Sequence, residues 1–241
     1  MSSRTRKKSS RPDGTTKSKS ASEDNRVLDR AIFHLWETIS ELEQIQTPNI
    51  KHFRVSIFGS SRIQRGDPIY EDVKRLTSEL SRRGIDIVTG GGPGLMEAAN
   101  AGAVEGQADS GSRSFGLPVH LPSEEGANPF VDKVYRHRTF FSRLHHFVRL
   151  SSAFIVMPGG IGTSLETFLI WQLLQVKHLR DRPLILVGKM WPPLVEWMNE
   201  HMLERGLVNS PDMEIAKLVG SADEAMPIVE ETYRKFKEGR K

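Results

Sequence analysis

A single acidic residue, Glu166, stands early in an apolar helical segment that directly follows a glycine-rich turn. The segment 154–174 reads FIVMPGGIGTSLETFLIWQLL, in which an apolar run ends at Pro158 before the turn Gly159, Gly160, Gly162 and Thr163. Glycine amides at a helix start can bind an anion, and a nearby carboxylate can stabilise a developing cation or activate water. A structural alternative exists, because Thr163 and Glu166 have the T-x-x-E spacing of a capping box. We expect Glu166 to cap its helix and face a ligand, and the positive helix end to keep it ionised.

Three glycine-bearing turns follow three apolar runs: GSS at 59–61, GGGPG at 90–94 and PGGIGT at 158–163. In a parallel sheet these turns share the carboxyl edge, where open α/β sheets bind ligands. The sequence therefore predicts a phosphate site, although each turn could also be only a tight turn. Its candidate residues are Gly59, Ser60, Gly91, Gly92, Gly94, Gly159, Gly160, Gly162 and Thr163. Neither a Walker motif nor the G-x-G-x-x-G fingerprint is present, which favours a mononucleotide or sugar phosphate.

A second charged residue, Arg143, is expected at the same edge. The predicted helix 139–151 runs antiparallel to the strand that follows it, so its first turn lies beside PGGIGT. An arginine can hold a phosphate or orient a carboxylate, and a carboxylate can assist cleavage of an N-glycosidic bond through an oxocarbenium-like state. Arg143 and Glu166 are therefore the candidate catalytic pair, with an ordinary surface arginine as the alternative for Arg143.

Strands and helices alternate along the chain. Apolar runs predict strands at 53–59, 85–92, 114–119, 153–157 and 183–188, with a short further strand at 134–138. Helical spacing predicts helices at 67–84, 93–106, 139–151, 162–178 and 192–206 and another from about Ser221, with Pro93 at the first position of its helix. This order predicts an α/β fold: a Rossmann-like, doubly wound parallel sheet in three α/β/α layers.

The N-terminal region differs in composition from the rest. Residues 1–20 hold seven Lys or Arg and one acid, which gives them a net charge of +6. The rest of the chain has a net charge of −2, so the whole chain has a net charge of +4. We predict a disordered basic tail over residues 1–23, which could contact nucleic acid weakly or serve only as a solubilising tail. Residues 24–241 are expected to form a single domain that begins with a helix at 24–46.

Several classes of protein are disfavoured by what the sequence lacks. There is no cysteine, which suits a reducing cytoplasm and excludes disulfides and thiolate chemistry. No apolar run reaches the ~20 residues that cross a bilayer, so no membrane association is expected. No metal-ligand spacing such as H-E-x-x-H occurs, and neither a metal nor a cofactor is expected.

The segments GGGPGLMEAANAGA and PGGIGTSLE resemble the LOG family, the cytokinin riboside 5′-monophosphate phosphoribohydrolases, and related bacterial nucleoside-monophosphate nucleosidases. The resemblance covers about residues 53–205, and PGGxGTxxE is its specific motif. It implies catalytic roles for Glu166 and Arg143, a nucleotide-binding role for Glu124, and matches at Asn128 and Pro129. Members are often labelled lysine decarboxylases, but no lysine here is placed for a Schiff-base cofactor.

The resemblance further implies a homodimer that acts on a purine nucleoside monophosphate such as AMP and releases the base and ribose 5-phosphate. The chain departs from the family pattern at Leu144, where lysine is usual. A nucleotide sensor or carrier without catalysis is therefore an alternative, and an RNA-associated protein acting through the basic tail is a third. The histidines that follow, His145 and His146, are expected to be structural or exposed.

Overall fold

The computed structural model describes residues 52–108, 110–119 and 126–239. By its internal contacts the chain divides into two units, residues 1–49 and 50–241, and the described residues belong to the second. The predicted tail (1–23), the predicted helix (24–46) and Glu124 lie outside the described residues. The division of the chain at residue 24 therefore stays a prediction.

Seven strands and seven helices alternate in the described part of the chain. The strands are β1 (Arg54–Phe58), β2 (Asp86–Thr89), β3 (Ser114–Gly116), β4 (Lys133–Val134), β5 (Ala153–Val156), β6 (Leu184–Val187) and β7 (Ala216–Val219). The helices are α1 (Pro68–Arg82), α2 (Leu95–Gly106), α3 (Phe140–Leu150), α4 (Ile161–Gln175), α5 (Trp191–Met198), α6 (Ser210–Met213) and α7 (Ala222–Glu238). A π-helical turn, Asn199–Leu203, continues α5.

All seven strands form one parallel sheet in the order β4-β3-β2-β1-β5-β6-β7. The chain winds outward from β1 in one direction to β4, returns to β5 beside β1, and then winds outward to β7. The strand order therefore reverses between β1 and β5, which is where doubly wound sheets open a ligand crevice. The predicted Rossmann-like fold is confirmed.

The inner strands β1, β2, β3, β5 and β6 bury both faces, because helices cover both sides of the sheet. Val55 and Ile57 of β1 pack with α1, α2 and α7 in one core, whereas Phe58 packs with α3, α4 and α5 in the other. The strands are continuous apolar runs for this reason, as in parallel sheets generally. The expected three-layer architecture thus follows from the alternation of side chains along the strands.

Two boundaries and one pair of elements differ from the expectation. Gly94 has φ 69°, outside the helical region, so α2 begins at Leu95 and Pro93 precedes the helix instead of opening it. The predicted helix 192–206 changes to a π-helical turn at Asn199. The short α6 and the edge strand β7 were not predicted, since Lys217 and Leu218 of β7 are exposed and break the apolar run that marks the inner strands.

Within residues 52–108, 110–119 and 126–239, no helix is both long and apolar enough to cross a membrane.

Candidate active site

The turns after β1, β2 and β5 meet at the point where the strand order reverses. The backbone N–H of Ser60 donates to the carbonyl of Pro158 over 3.1 Å, which joins the first and third turns. Between them opens a cleft of about 810 Å³, and the predicted residues Gly59, Ser60, Gly159, Gly160, Gly162 and Thr163 all line it. Arg143 and Glu166 line the same cleft. The turns after β1 and β5 therefore form part of the cleft wall.

The start of α4 has the form of an anion cradle. The N-cap residue is Gly160, and no side chain caps the helix. A Cβ atom built on Gly160 or Gly162 would meet no protein atom within 4 Å, so the space beside both is open. The uncapped amides and the positive end of a 15-residue helix therefore face open space, which suits a phosphate.

Arg143 and Glu166 are brought together as the topology predicted. Arg143 Nη2 lies 3.2 Å from Glu166 Oε1, and the two side chains are only 14% and 10% exposed. Arg143 Nε is buried and has no hydrogen-bond partner among the described residues. Gly90 makes room for this guanidinium, because a Cβ atom on Gly90 would lie 2.2 Å from Arg143 Nη2.

Glu166 does not cap its helix, which corrects the capping-box interpretation. Because α4 begins at Ile161 after the N-cap Gly160, Thr163 is the third residue of the helix and Glu166 the sixth. Burial also opposes the expected ionisation of Glu166. Burial raises its pKa from 4.5 to about 7, and the nearby Arg143 only partly offsets that rise. A buried carboxyl near half-protonation at neutral pH beside a cation is a candidate for proton transfer.

Three predicted binding residues, Gly91, Gly92 and Gly94, do not line the cleft. The Gly91 N–H donates to Thr89 Oγ1 over 2.9 Å, and its carbonyl accepts from the N–H of Asn128 over 2.7 Å. Gly94 packs against backbone, since a Cβ atom there would come within 2.5 Å of Ser60 O. These glycines therefore shape the turn after β2 without contacting the cleft. Gly90 is the residue of this turn that lines the cleft.

A buried polar network fixes the turn after β2, and sequence reasoning gave Asn100 no role. Asn100 is fully buried; its Oδ1 accepts from Thr89 Oγ1 over 2.7 Å and from Asn128 Nδ2 over 2.9 Å. Asn128 Nδ2 also donates to Gly92 O over 3.0 Å. An asparagine on the otherwise small and apolar face of a buried helix was the available signal, because buried amides need partners.

Residues outside the sequence motifs also line the cleft. Arg62, Met96, Phe140, Ile161 and Met190 line it, and Met190 Sδ accepts from the N–H of Gly159 over 3.4 Å. Leu144, at the position where lysine was expected, is buried and does not line the cleft. The lining residues include no lysine, and the described parts of the chain contain no cluster of three or more potential metal ligands.

Of the two histidines of α3, His146 has a structural role and His145 is exposed. His146 Nδ1 lies 3.0 Å from His137 Nε2, and His137 Nδ1 lies 3.1 Å from Ser142 Oγ in the first turn of the helix. Burial lowers the pKa of His146 to about 4, so it is neutral at physiological pH. This network links His137 to the first turn and to the middle of α3.

Fold and site together define a Rossmann-like α/β protein with an open anion cradle beside a buried arginine–carboxylate pair. A family described as possible lysine decarboxylase matches residues 96–229, more than half of the chain. The chain belongs to this family, which confirms the LOG-family resemblance seen in its motifs.

Relatives in this family carry names of nucleotide hydrolases. The chain is 31% identical over 172 residues to the pyrimidine/purine nucleotide 5′-monophosphate nucleosidase of Escherichia coli strain K12; the match covers 68% of the chain and 37% of that protein. It therefore spans little more than a third of that relative. A probable cytokinin riboside 5′-monophosphate phosphoribohydrolase of Oryza sativa subsp. japonica is 30% identical over 201 residues, covering 81% of the chain and 78% of the relative.

Solved structures support the fold. The molybdenum cofactor binding protein of Rippkaea orientalis superposes with a TM-score of 0.56 at 18% identity, covering 76% of this chain and 98% of that one. The Moco carrier protein of Chlamydomonas reinhardtii gives a TM-score of 0.55 at 17% identity, covering 77% and 99%. At such identities the likeness concerns the fold alone.

Proposed function

We propose that the protein hydrolyses the N-glycosidic bond of a nucleoside 5′-monophosphate, releasing the free base and ribose 5-phosphate. The observation that carries the proposal is the Arg143–Glu166 pair, 3.2 Å apart, in the same cleft as the uncapped start of α4. The names of the relatives in E. coli and rice point to the same reaction. A purine nucleotide such as AMP is the substrate we favour.

The geometry suggests a role for each group. The amides at the start of α4 bind the 5′-phosphate, which places the ribose toward Glu166, one to two turns further along the helix. As the bond to the base breaks, positive charge develops on the ribose, and the Glu166 carboxylate stabilises it or accepts a proton from the attacking water. Arg143 holds this carboxylate in place and favours its ionised form.

Incubation of the full chain with a panel of purine and pyrimidine nucleoside 5′-monophosphates tests the reaction. We expect free base and ribose 5-phosphate in equal amounts, separated by chromatography. The matching nucleosides should react far more slowly, because they lack the phosphate that the α4 cradle binds. Tight binding of a nucleotide without base release would instead favour a sensor or carrier on this fold.

Activity should rise with pH. The reaction needs the Glu166 carboxylate, and burial raises the pKa of that group to about 7. We expect kcat to increase about tenfold per pH unit below pH 6 and to level off above pH 8. The measurement is kcat from pH 5 to 9 at saturating nucleotide. A decline of kcat through pH 7 would mean that the protonated acid is the active form.

We also propose a homodimer, since an apolar stripe lies exposed along α4. Ile161, Leu165 and Phe168 have the spacing of one helix face and are 88%, 49% and 42% exposed, and Phe141 of α3 is 78% exposed. A second copy could cover this stripe, which explains why α4 reads as a buried helix in the sequence. Ile161 also lines the cleft, so the partner would reach the site.

Sedimentation analysis tests the dimer. Leu165→Glu should produce monomers, because a charge would be buried in the interface. Leu218→Glu on β7, a leucine of similar exposure (41%), is the matched control and should leave the dimer intact. A wild-type chain that sediments as a monomer would contradict the proposal.

Three further expectations stay predictions: a cytoplasmic location, a weak contact between the basic tail and nucleic acid, and nucleotide binding by Glu124.

A further inference from the structure

A second groove opens at the opposite, amino edge of the sheet. Its volume is about 1,040 Å³, larger than the cleft at the carboxyl edge. Its walls include Phe53, Ser152 and Pro183, which directly precede β1, β5 and β6, together with part of α7. The groove is therefore separated from the Arg143–Glu166 pair by the length of the strands.

The charges in this groove are strongly unbalanced. Five cationic residues line it, and only two acidic ones, Asp181 and Glu214. The cations are Lys177, Arg180, Arg182, Lys217 and Lys235. Lys235 Nζ lies 3.2 Å from Glu231 Oε1. The other four have no carboxylate within ion-pair distance among residues 52–108, 110–119 and 126–239, so positive charge is in excess in the groove.

Arg182 is the most unusual of these cations. Its Nη1 donates to the carbonyl of Val148 over 2.5 Å, and burial lowers its pKa. Taking a charge out of water without a counter-ion is costly, and an anion in the groove would offset that cost. Cations near helix ends can simply complement the helix dipole, which accounts for Lys177 and Lys235. Arg182 and Lys217 flank or belong to strands, so the dipole does not explain them.

The loop between α4 and β6 contains two groove residues with positive φ, one a cation and one an acid. Lys177 has φ 60° and Asp181 φ 57°, and they are the only non-glycine residues with positive φ in the described part of the chain. Lys177 directly follows the C-cap of α4, where a left-handed residue commonly ends a helix. Asp181 lies within the loop itself, and such conformations recur at binding sites. Both residues line the groove.

We propose that this groove binds a small organic molecule carrying two or more phosphate groups. Four cations without an ion pair among the described residues, against two acidic residues in the groove, suit a ligand with more than one negative charge. Leu174, Leu179 and Ile215 supply apolar surface for the organic part of the ligand. The site is independent of the proposed hydrolase reaction and lies at the other edge of the sheet.

Calorimetric titration of the full chain with pyrophosphate at low ionic strength tests the groove. Gly160→Val blocks the α4 cradle and should leave pyrophosphate binding to the groove intact. In that background, Arg180→Glu and Lys217→Glu should each weaken binding about tenfold, because each reverses a charge beside the ligand. Inorganic phosphate should bind more weakly than pyrophosphate.

Arg205→Glu is the matched control, because Arg205 is an exposed arginine that does not line the groove. It should leave pyrophosphate affinity unchanged. Equal weakening by Arg205→Glu would show general attraction to positive charge and overturn the proposal, as would complete loss of binding in Gly160→Val. Base release by Arg180→Glu should match the wild type, so failure of this site and failure of the hydrolase proposal are distinguishable.

Discussion

Replacing Glu166 by Gln is expected to lower kcat for base release by about a thousandfold while nucleotide affinity changes little. The substitution keeps the shape of the side chain and removes the negative charge that would face the ribose. General acid–base groups contribute roughly 10²–10⁴ to rate, which sets this magnitude. The measurement is single-turnover base release, with nucleotide affinity determined separately. Glu196→Gln, on the exposed face of α5, is the matched control and should retain full activity.

Stability provides a second readout for the same variant. The raised pKa of Glu166 means that the folded chain binds more protons than the unfolded chain between about pH 4.5 and 7. The contribution of this group to the free energy of unfolding therefore falls as pH rises through that window and is lowest above it. Glu166→Gln removes this penalty, so its melting temperature at pH 8 should not fall below that of the wild type. An inactive but unfolded variant would leave the catalytic role without support.

The pairing of Arg143 with Glu166 could be predicted because it follows from topology. Once the strands are known to be parallel, the start of α3 and the start of α4 must lie at the same edge. Two residues 23 positions apart in sequence are then expected at the same edge of the sheet. Gly90 was needed as well, and its role in admitting the Arg143 guanidinium depends on a distance that no sequence pattern reveals.

The capping-box prediction failed because the backbone conformation of a single residue, Gly160, decides where α4 begins. T-x-x-E fits a helix that starts after Thr163, but extended Gly160 starts it three residues earlier. The first turn then has no capping side chain, and its amides remain available. The local motif was therefore misleading at the point where the helix start serves a ligand instead of a cap.

The state of Glu166 could not be predicted from charge alone. The helix dipole and Arg143 both favour the carboxylate, and the sequence shows both. The burial of Glu166 opposes them, and only the packed structure reveals that burial. The amino-edge groove was missed for a related reason: its cations come from the α4–β6 loop, β7 and α7, which share no motif.

A side chain at Gly160 should block nucleotide binding without disturbing the fold. Gly160 has φ −93° and ψ −157°, which any residue can adopt, and an added Cβ meets no protein atom within 4 Å. The branched side chain of Gly160→Val would instead occupy the space where the phosphate contacts the α4 amides. Losing two or three charge-assisted hydrogen bonds costs about 3 kcal/mol, so affinity for AMP should fall roughly a hundredfold.

Calorimetric titration with AMP measures the loss of affinity, and a melting curve for each variant shows whether the fold is unchanged. Gly239→Val is the matched control, because Gly239 is an exposed glycine with φ −69° far along the chain from the cleft. Gly159 would be a poor choice, since a Cβ there would lie 2.2 Å from Thr163 Oγ1 and disturb the turn itself. If Gly160→Val bound AMP as tightly as the wild type, the phosphate would have to lie elsewhere, and the ribose would no longer be placed against Glu166. The position of the phosphate is thus the premise on which the catalytic role of the Arg143–Glu166 pair depends.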